Sequence, residues 1–288
     1  MSKILEVCNL VKGYKNSEFR LNNVSFSLPK GAIMGFVGEN GAGKTTTIGC
    51  ILNTLIKDSG SIKIFGKEMS DEATDIRDDI GVVYDKNAFP LHLTPVKVAS
   101  IMRSLYSKWD DDLYKRYLKT FKLDETKKIK TFSRGMTMKL AVSVALSHHP
   151  KLLILDEATA GLDPIARDDI LDTFLEFVQD ENNSILLSSH ITSDLEKIAD
   201  YITFIHDGNV IFNEEKDTLK YNYGIMRCKA AQFSEIDKKD ILAYRKHDYQ
   251  IDVLIADKKH TEKKYRDVVI DNTTIEEIML MFVKGERA

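Results

Sequence analysis

Nowhere in its 288 residues does the chain have a run of about 18 consecutive apolar residues, the length a membrane-spanning helix needs. The first ten residues, MSKILEVCNL, carry no long apolar stretch followed by a small-residue cleavage site, so no secretory leader is read there. Cysteine is scarce: Cys8, Cys50 and Cys228 are far apart, odd in number and not at metal-ligand spacing. That favours free thiols in a reducing compartment over a disulfide framework. An excess of charge of either sign is missing too. Forty-one Lys and Arg stand against 44 Asp and Glu, a net charge of −3, which leaves no global field for nucleic acid. The local run Lys127, Lys128 and Lys130 reads as a solvated face. These absences predict a cytosolic protein without a nucleic-acid partner, meeting a membrane only through another chain.

What is present alternates. Ile4 to Val7 and Leu21 to Leu28 read as strands, the second with Val24, Phe26 and Leu28 on one face, and Pro29 to Gly31 as a turn. Ala32 to Val37 is a short apolar run entering a glycine-rich loop, Thr45 to Leu55 has helical spacing, and Ser61 to Phe65 returns as a strand. Thr94 to Leu123 is predicted helical, with Leu113, Tyr117, Leu118 and Phe121 on one stripe. Ser133 caps a further helix running to about His148. Lys151 to Leu155 and Ser184 to Leu187 are fully apolar strands flanking a helix through Ile170, Leu171, Phe174 and Phe177. Such a pattern predicts an α/β fold with a parallel sheet covered on both faces. The helical block interrupts the alternation as a separate lobe. After Glu214 the chain is more polar, and it closes on a capping box at Thr273 and Glu276 that opens a short apolar helix. Neither an internal repeat nor a low-complexity tract is found.

Residues 38–45, GENGAGKT, match G-x-x-x-x-G-K-[ST] in full, after an apolar strand and before a helix. Gly38, Gly41 and Gly43 let backbone N–H groups converge on phosphate oxygens, with Asn40 and Thr46 in the same cradle. The following helix adds its N-terminal dipole. Lys44 is placed to reach the β- and γ-phosphates, and the Thr45 hydroxyl to ligate Mg²⁺. A second signal is Asp156 and Glu157, ending the apolar strand at 152–155 where a parallel sheet gathers its ligand crevice. Asp156 is expected to hold Mg²⁺ and Glu157 to polarise an attacking water.

Further residues make the match specific. Residues 132–136, FSRGM, begin their Ser133 23 residues before Asp156; residues 155–164 read LDEATAGLDP and 185–190 read ILLSSH; Tyr14 precedes Lys44 by 30 residues. Together with the phosphate loop they resemble the ATP-binding-cassette (ABC) ATPases over about residues 3 to 215, with 132–136 as the signature, Asp163 as the D-loop acid, His190 as the switch histidine and Tyr14 as the aromatic against adenine. The resemblance implies a phosphate-loop α/β core with an N-terminal antiparallel sheet, a helical subdomain near 87–148 and a small C-terminal appendage. The domains are then 1–215, the nucleotide-binding domain, and 216–288, an accessory region. It implies ATP hydrolysis with Mg²⁺, driven by Glu157, His190 and Lys44. It also implies a head-to-tail dimer, preferably of two copies of this chain, in which Ser133 and Gly135 of one subunit meet ATP held by the phosphate loop of the other. The partner that ATP drives would be a permease on a separate chain at the inner face of the membrane. The loop after Asp85 and the helical lobe, with Phe89, Leu91 and Leu93, would receive it.

Two positions depart from the pattern. Asp85 stands where the family has a glutamine, and is expected to keep a metal-sensing role. Arg134 replaces a glycine and Met136 a glutamine in the signature. Arg134 is expected to face the triphosphate of the opposite subunit, or an acid across the interface such as Asp163, unless it extends into solvent. This combination resembles single-cassette exporters of peptides, drugs or lipids from Gram-positive bacteria. Ribosome- or DNA-acting cassettes fit less well, because there is one phosphate loop and no long heptad run. A non-enzymatic cassette also fits less well, because Lys44, Asp156, Glu157 and His190 are all present. Removing residues 216–288 is expected to impair regulation or dimer stability before ATP binding.

Overall fold

The computed structural model describes residues 2–15, 18–70, 73–85, 89–265 and 267–287. In chain order the elements begin β1 (Lys3–Gly13), β2 (Arg20–Pro29), β3 (Ile33–Val37), α1 (Lys44–Ile51), β4 (Ser59–Ile64), β5 (Lys67–Glu68), α2 (Thr74–Arg77) and β6 (Ile80–Tyr84). A helical block follows, α3 (Pro95–Leu105), α4 (Asp111–Thr120) and α5 (Arg134–Leu146). The alternation then resumes with β7 (Leu152–Asp156), α6 (Pro164–Phe177), β8 (Ser184–Ser189), α7 (Thr192–Ile198), β9 (Tyr201–His206) and β10 (Asn209–Glu215). The last stretch holds α8 (Lys216–Tyr221), β11 (Gly224–Cys228), α9 (Ala230–Phe233), β12 (Ala243–Lys246), β13 (Ile251–Ile255), α10 (Lys258–Lys264), β14 (Val269–Asn272) and α11 (Ile275–Lys284).

Three sheets result. Strands β2, β1, β4 and β5 form an antiparallel sheet in that order, and β10, β9, β3, β8, β7 and β6 form the central one. In the central sheet all neighbours run parallel except β10 against β9. Its inner strands β3, β7 and β8 are buried on both faces, as a parallel sheet requires. Ile33, Val37, Leu153 and Leu155 face one core with α5 and α6, whereas Met34, Phe36, Leu152 and Ile154 face the other with α1 and the N-terminal sheet. The register aligns Tyr84 with Asp156, Asp156 with Ser188, and Ser189 with Val37. Four strand ends therefore stand in one row, and the loops leaving them carry the residues singled out by sequence.

Several local expectations shift. The helix after the phosphate loop ends at Ile51, earlier than Leu55, because Asn53 takes a left-handed φ of 56° and the N–H groups of Thr54 and Leu55 turn back to the Gly49 carbonyl. The single helix expected from Thr94 to Leu123 is two. Thr94 caps α3, and Asp110 caps α4 by accepting the Leu113 N–H at 2.8 Å. The start of the helical lobe near residue 87 lies outside the described residues. The terminal capping box is one residue later than expected: Thr274 accepts the Glu277 N–H at 3.1 Å, and Glu277 returns to the Thr274 N–H at 2.9 Å.

Residues 224–272 build the third sheet, β12, β13, β11 and β14, antiparallel throughout. Ile251, Val253 and Ile255 alternate on β13 as their spacing predicts and form a small core with Met226 and Cys228. The opposite face, through Ile225, Ala243 and Leu254, joins the main core together with Leu219, Ile275 and Ile278. Burying one such aliphatic side chain is worth about 1.5–3 kcal/mol, so several together rival the roughly 5–15 kcal/mol that holds a typical domain folded. The consequence of truncation changes accordingly: deleting residues 216–288 is expected to lower the melting temperature by about 10 °C or more, or to yield insoluble protein. Ile278→Ala in the full chain should cost about 2–5 kcal/mol in urea unfolding.

His148, just past α5, is buried, stacks on Tyr106 at 3.9 Å between ring centroids and places Nε2 3.1 Å from the Ile80 carbonyl, to which it donates. Burial pushes its pKa below the ordinary value of 6.5, with the Ile80 carbonyl opposing. The unfolded chain therefore binds this proton first as pH falls, and stability declines below about pH 6.5, by up to about 1.4 kcal/mol per pH unit. His148→Gln, which can still donate to Ile80, should flatten the stability profile between pH 6.5 and 5 in urea titrations.

Candidate active site

The phosphate loop leaves β3 and turns into α1 through Gly43, at φ 114°. A side chain there would be strained by its backbone, and its Cβ would lie 2.6 Å from Leu21 Cδ2 and 3.0 Å from Phe19 Cζ. The loop frames a hollow of about 360 Å³ lined by Phe19, Asn40, Gly41, Gly43, Lys44, Thr45, Thr46 and Glu157. Lys44 is buried, and its Nζ donates to the Gly38 carbonyl at 2.7 Å and the Glu39 carbonyl at 3.1 Å. Tyr14, directly after β1, is exposed, with its hydroxyl 3.5 Å from Thr46 Oγ1 and Lys12 Nζ 5.3 Å from its ring centroid.

Glu157 closes the hollow. Its Oε1 lies 3.2 Å from Lys44 Nζ, an ion pair whose angle falls short of a hydrogen bond, and its Oε2 lies 2.6 Å from His190 Nδ1. An ionised carboxylate only accepts, so Nδ1 carries the proton. The Glu157 backbone has φ 55°, a costly conformation for a residue with a Cβ. It is held by its N–H donating to Ser188 Oγ at 3.1 Å and to the Ser188 carbonyl at 3.2 Å. The same Ser188 hydroxyl donates to Asp156 Oδ1 at 2.6 Å. One buried serine thus positions both acids.

Ser133, Gly135, Asp163, Arg134 and Asp85 form a second group at the start of α5. Ser133 Oγ accepts the Met136 N–H at 3.2 Å as the N-cap. Gly135 is buried against α6: a Cβ there would lie 3.0 Å from Ala166 Cβ and 3.6 Å from Asp163 Oδ2. Asp163 caps α6, accepting from Ile165 and Ala166. The Ala166 N–H, with that of Ile165 and against desolvation, holds the Asp163 carboxyl below the ordinary carboxylate range. Arg134 pairs with Asp85 of its own chain. Asp85, expected to sense the metal, has its Oδ1 engaged by that guanidinium.

Sequence reasoning did not single out Ser188 or Phe19. Ser188 is one of two serines ending β8, and only the register against β7 selects it. Phe19 shows no motif, and reaches Gly43 because the segment before β2 returns to the loop.

A phosphate loop at the end of a parallel strand, with a histidine following the adjacent strand β8 and an Asp-Glu pair at the end of β7 beyond it, defines a phosphate-loop ATPase. The ABC transporter family pattern matches residues 21–160. The bacitracin transport ATP-binding protein BcrA of Bacillus licheniformis is 33% identical over 256 residues, covering 87% of this chain and 83% of that one. The lantibiotic transport ATP-binding protein SrtF of Streptococcus pyogenes is 34% identical over 215 residues, covering 74% and 92%. A solved ATP-binding subunit of an ABC transporter superposes with a TM-score of 0.68 at 29% identity, covering 75% of this chain and 92% of that chain. The chain belongs to the ABC transporter family, as an ATP-binding, ATP-hydrolysing subunit.

Glu157→Gln is expected to lower turnover at least 100-fold while leaving ATP affinity within about threefold, by phosphate release and by equilibrium binding of a fluorescent ATP analogue. Ser188→Ala strands a buried carboxylate and frees the Glu157 turn. It should cost about 1–3 kcal/mol of stability and lower kcat about tenfold or more with little change in KM.

Proposed function

We propose that this chain powers a separate membrane permease exporting peptide antibiotics or chemically similar amphipathic peptides, and does so as a dimer closed by ATP. Lys44 neutralises the β- and γ-phosphates, and the loop amides cradle them. Glu157 orients the attacking water and accepts its proton, His190 holds the Glu157 carboxylate and faces the γ-phosphate, and Tyr14 stacks on adenine. Ser133 and Gly135, at a helix start, meet the triphosphate of the second copy. The observation that carries the catalytic reading is the convergence of Lys44 and His190 on the two oxygens of Glu157 beside the phosphate hollow.

The residues fit Mg²⁺. Among the described residues no three of His, Cys, Asp and Glu gather as a metal cage, and Mg²⁺ typically takes one or two carboxylates and completes its shell with water and substrate phosphates. Thr45, which lines the hollow, and Asp156, oriented by Ser188, would hold it. Bound there with ATP, the ion would supply positive charge against the phosphate oxygens.

One observation favours a partner docked on this chain. Beside the second residue group lies a groove of about 250 Å³, lined by Leu91, Ile129, Phe132, Met138 and Ala141 along with Asp85 and Arg134. Leu91 is exposed, whereas Phe89 and Leu93 pack against the core. A short helix of the permease seated in this groove would hold the chain at the inner membrane face. The peptide substrate class rests on the relatives that carry bacitracin and lantibiotics in their names.

Co-expressed with a membrane chain that co-purifies with it, the protein is expected to raise bacterial resistance to bacitracin or a lantibiotic at least fourfold, and Glu157→Gln to abolish the gain. Resistance unchanged across both peptide classes would overturn the substrate reading. Leu91→Asp should reduce recovery of the chain in the membrane fraction about tenfold, and ATP should shift Glu157→Gln to a dimer in light scattering.

A further inference from the structure

The two departures in the sequence touch each other. Arg134 occupies the first turn of α5 in the helical lobe, and Asp85 directly follows β6, whose last residue, Tyr84, pairs with Asp156. The Arg134 guanidinium donates from Nη2 to Asp85 Oδ1. Its plane also lies over Gly161, in the loop leading from Glu157 to the Asp163 cap of α6. A Cβ on Gly161 would stand 2.7 Å from Arg134 Nη1 and 3.0 Å from Cζ, and its backbone has φ 66°. One side chain of the helical lobe therefore contacts both loops that flank the strand end bearing Asp156 and Glu157.

We propose that Arg134 is a positioning residue for ATP hydrolysis: clamped by Asp85, it fixes the 157–163 loop against the helical lobe, and Asp85 serves this clamp rather than binding the metal. Ala158, Thr159, Ala160 and Leu162 of this loop are buried, and Gly161 between them is exposed. Glu157 begins the loop in a left-handed conformation, tied to Ser188, and Asp163 ends it by capping α6. Between these anchors the Arg134 plane covers Gly161, where the absence of a side chain admits it. A planar guanidinium can pair with a carboxylate at its edge while its face lies on backbone, which an ammonium cannot do. Arg134 and Asp85 are each about half exposed, and exposed ion pairs add little to fold stability. The effect falls on geometry instead, since a displacement of about 1 Å at a catalytic group can slow a reaction on the order of 100-fold.

The inference rests on ATP hydrolysis at the Glu157 site, which the loss of turnover in Glu157→Gln checks separately. Steady-state ATPase of the purified full chain would be measured for Asp85→Asn, Arg134→Gln, the double variant, Arg134→Lys, and the exchanged pair Asp85→Arg with Arg134→Asp. Each neutralising single change should lower kcat about tenfold, with KM for ATP and the half-saturating Mg²⁺ concentration within twofold of wild type. The melting temperature should stay within about 2 °C. The double variant should be no slower than either single one, because both break one contact. The exchanged pair should regain at least a third of the lost rate, and Arg134→Lys should fall between wild type and Arg134→Gln. A roughly 100-fold loss in the double variant would show independent roles. A higher Mg²⁺ requirement in Asp85→Asn alone would return Asp85 to the metal. Unchanged kcat in the single variants, or a large fall in melting temperature, would likewise overturn the proposal.

Discussion

Parallel registration of β6, β7, β8 and β3 is the constraint on which the rest depends. It sets Tyr84 beside Asp156, Asp156 beside Ser188, and Ser189 beside Val37, so the loops that follow all open on one edge of the sheet. Parallel strands keep this registration only if both faces are covered. Coverage comes from α5 and α6 on one face and from α1 with the N-terminal sheet on the other. The catalytic geometry is in this sense a product of apolar packing remote from the chemistry.

Within that edge, polar contacts substitute for flexibility. Glu157 occupies a backbone region costing on the order of 1–3 kcal/mol, and it is retained by Ser188 on its N–H, His190 on one carboxylate oxygen and Lys44 on the other. Ser188 also orients Asp156, so the two acids are coupled through one hydroxyl. The C-terminal region joins the same body: one face of its sheet enters the main core, and the N–H of Ile275 at the start of α11 donates to Glu196 of α7, the helix that follows His190. His190 thus directly precedes a helix that the last helix of the chain contacts.

Much of this was legible before any coordinates. The apolar runs at 32–37, 152–155 and 184–187 are strands, because a sheet covered on both faces leaves no polar alternation. The phosphate loop and the Asp156–Glu157 pair announce their chemistry in short contiguous motifs. Local stops were harder to read. Asn53 ends α1, and the 106–110 break divides what the apolar stripe alone presents as one helix, since periodicity records which face is buried and not where the backbone turns.

Sequence by itself determined the fold class, the phosphate cradle, and the acids and histidine around it, because each is written in neighbouring residues whose spacing is fixed by one strand, loop or helix. Tertiary structure alone decided who meets whom across long separations. It selected Ser188 from its neighbour Ser189 through the β7–β8 register, brought Phe19 against Gly43, and paired Asp85 with Arg134 over Gly161. It also set one face of the C-terminal sheet, through Ile225, Ala243 and Leu254, into the main core, where the polar composition after Glu214 left the packing of that region open. The reason is physical: motif chemistry is local along the chain, whereas pairing depends on how sheets and helices pack, and packing is settled only when the whole core closes.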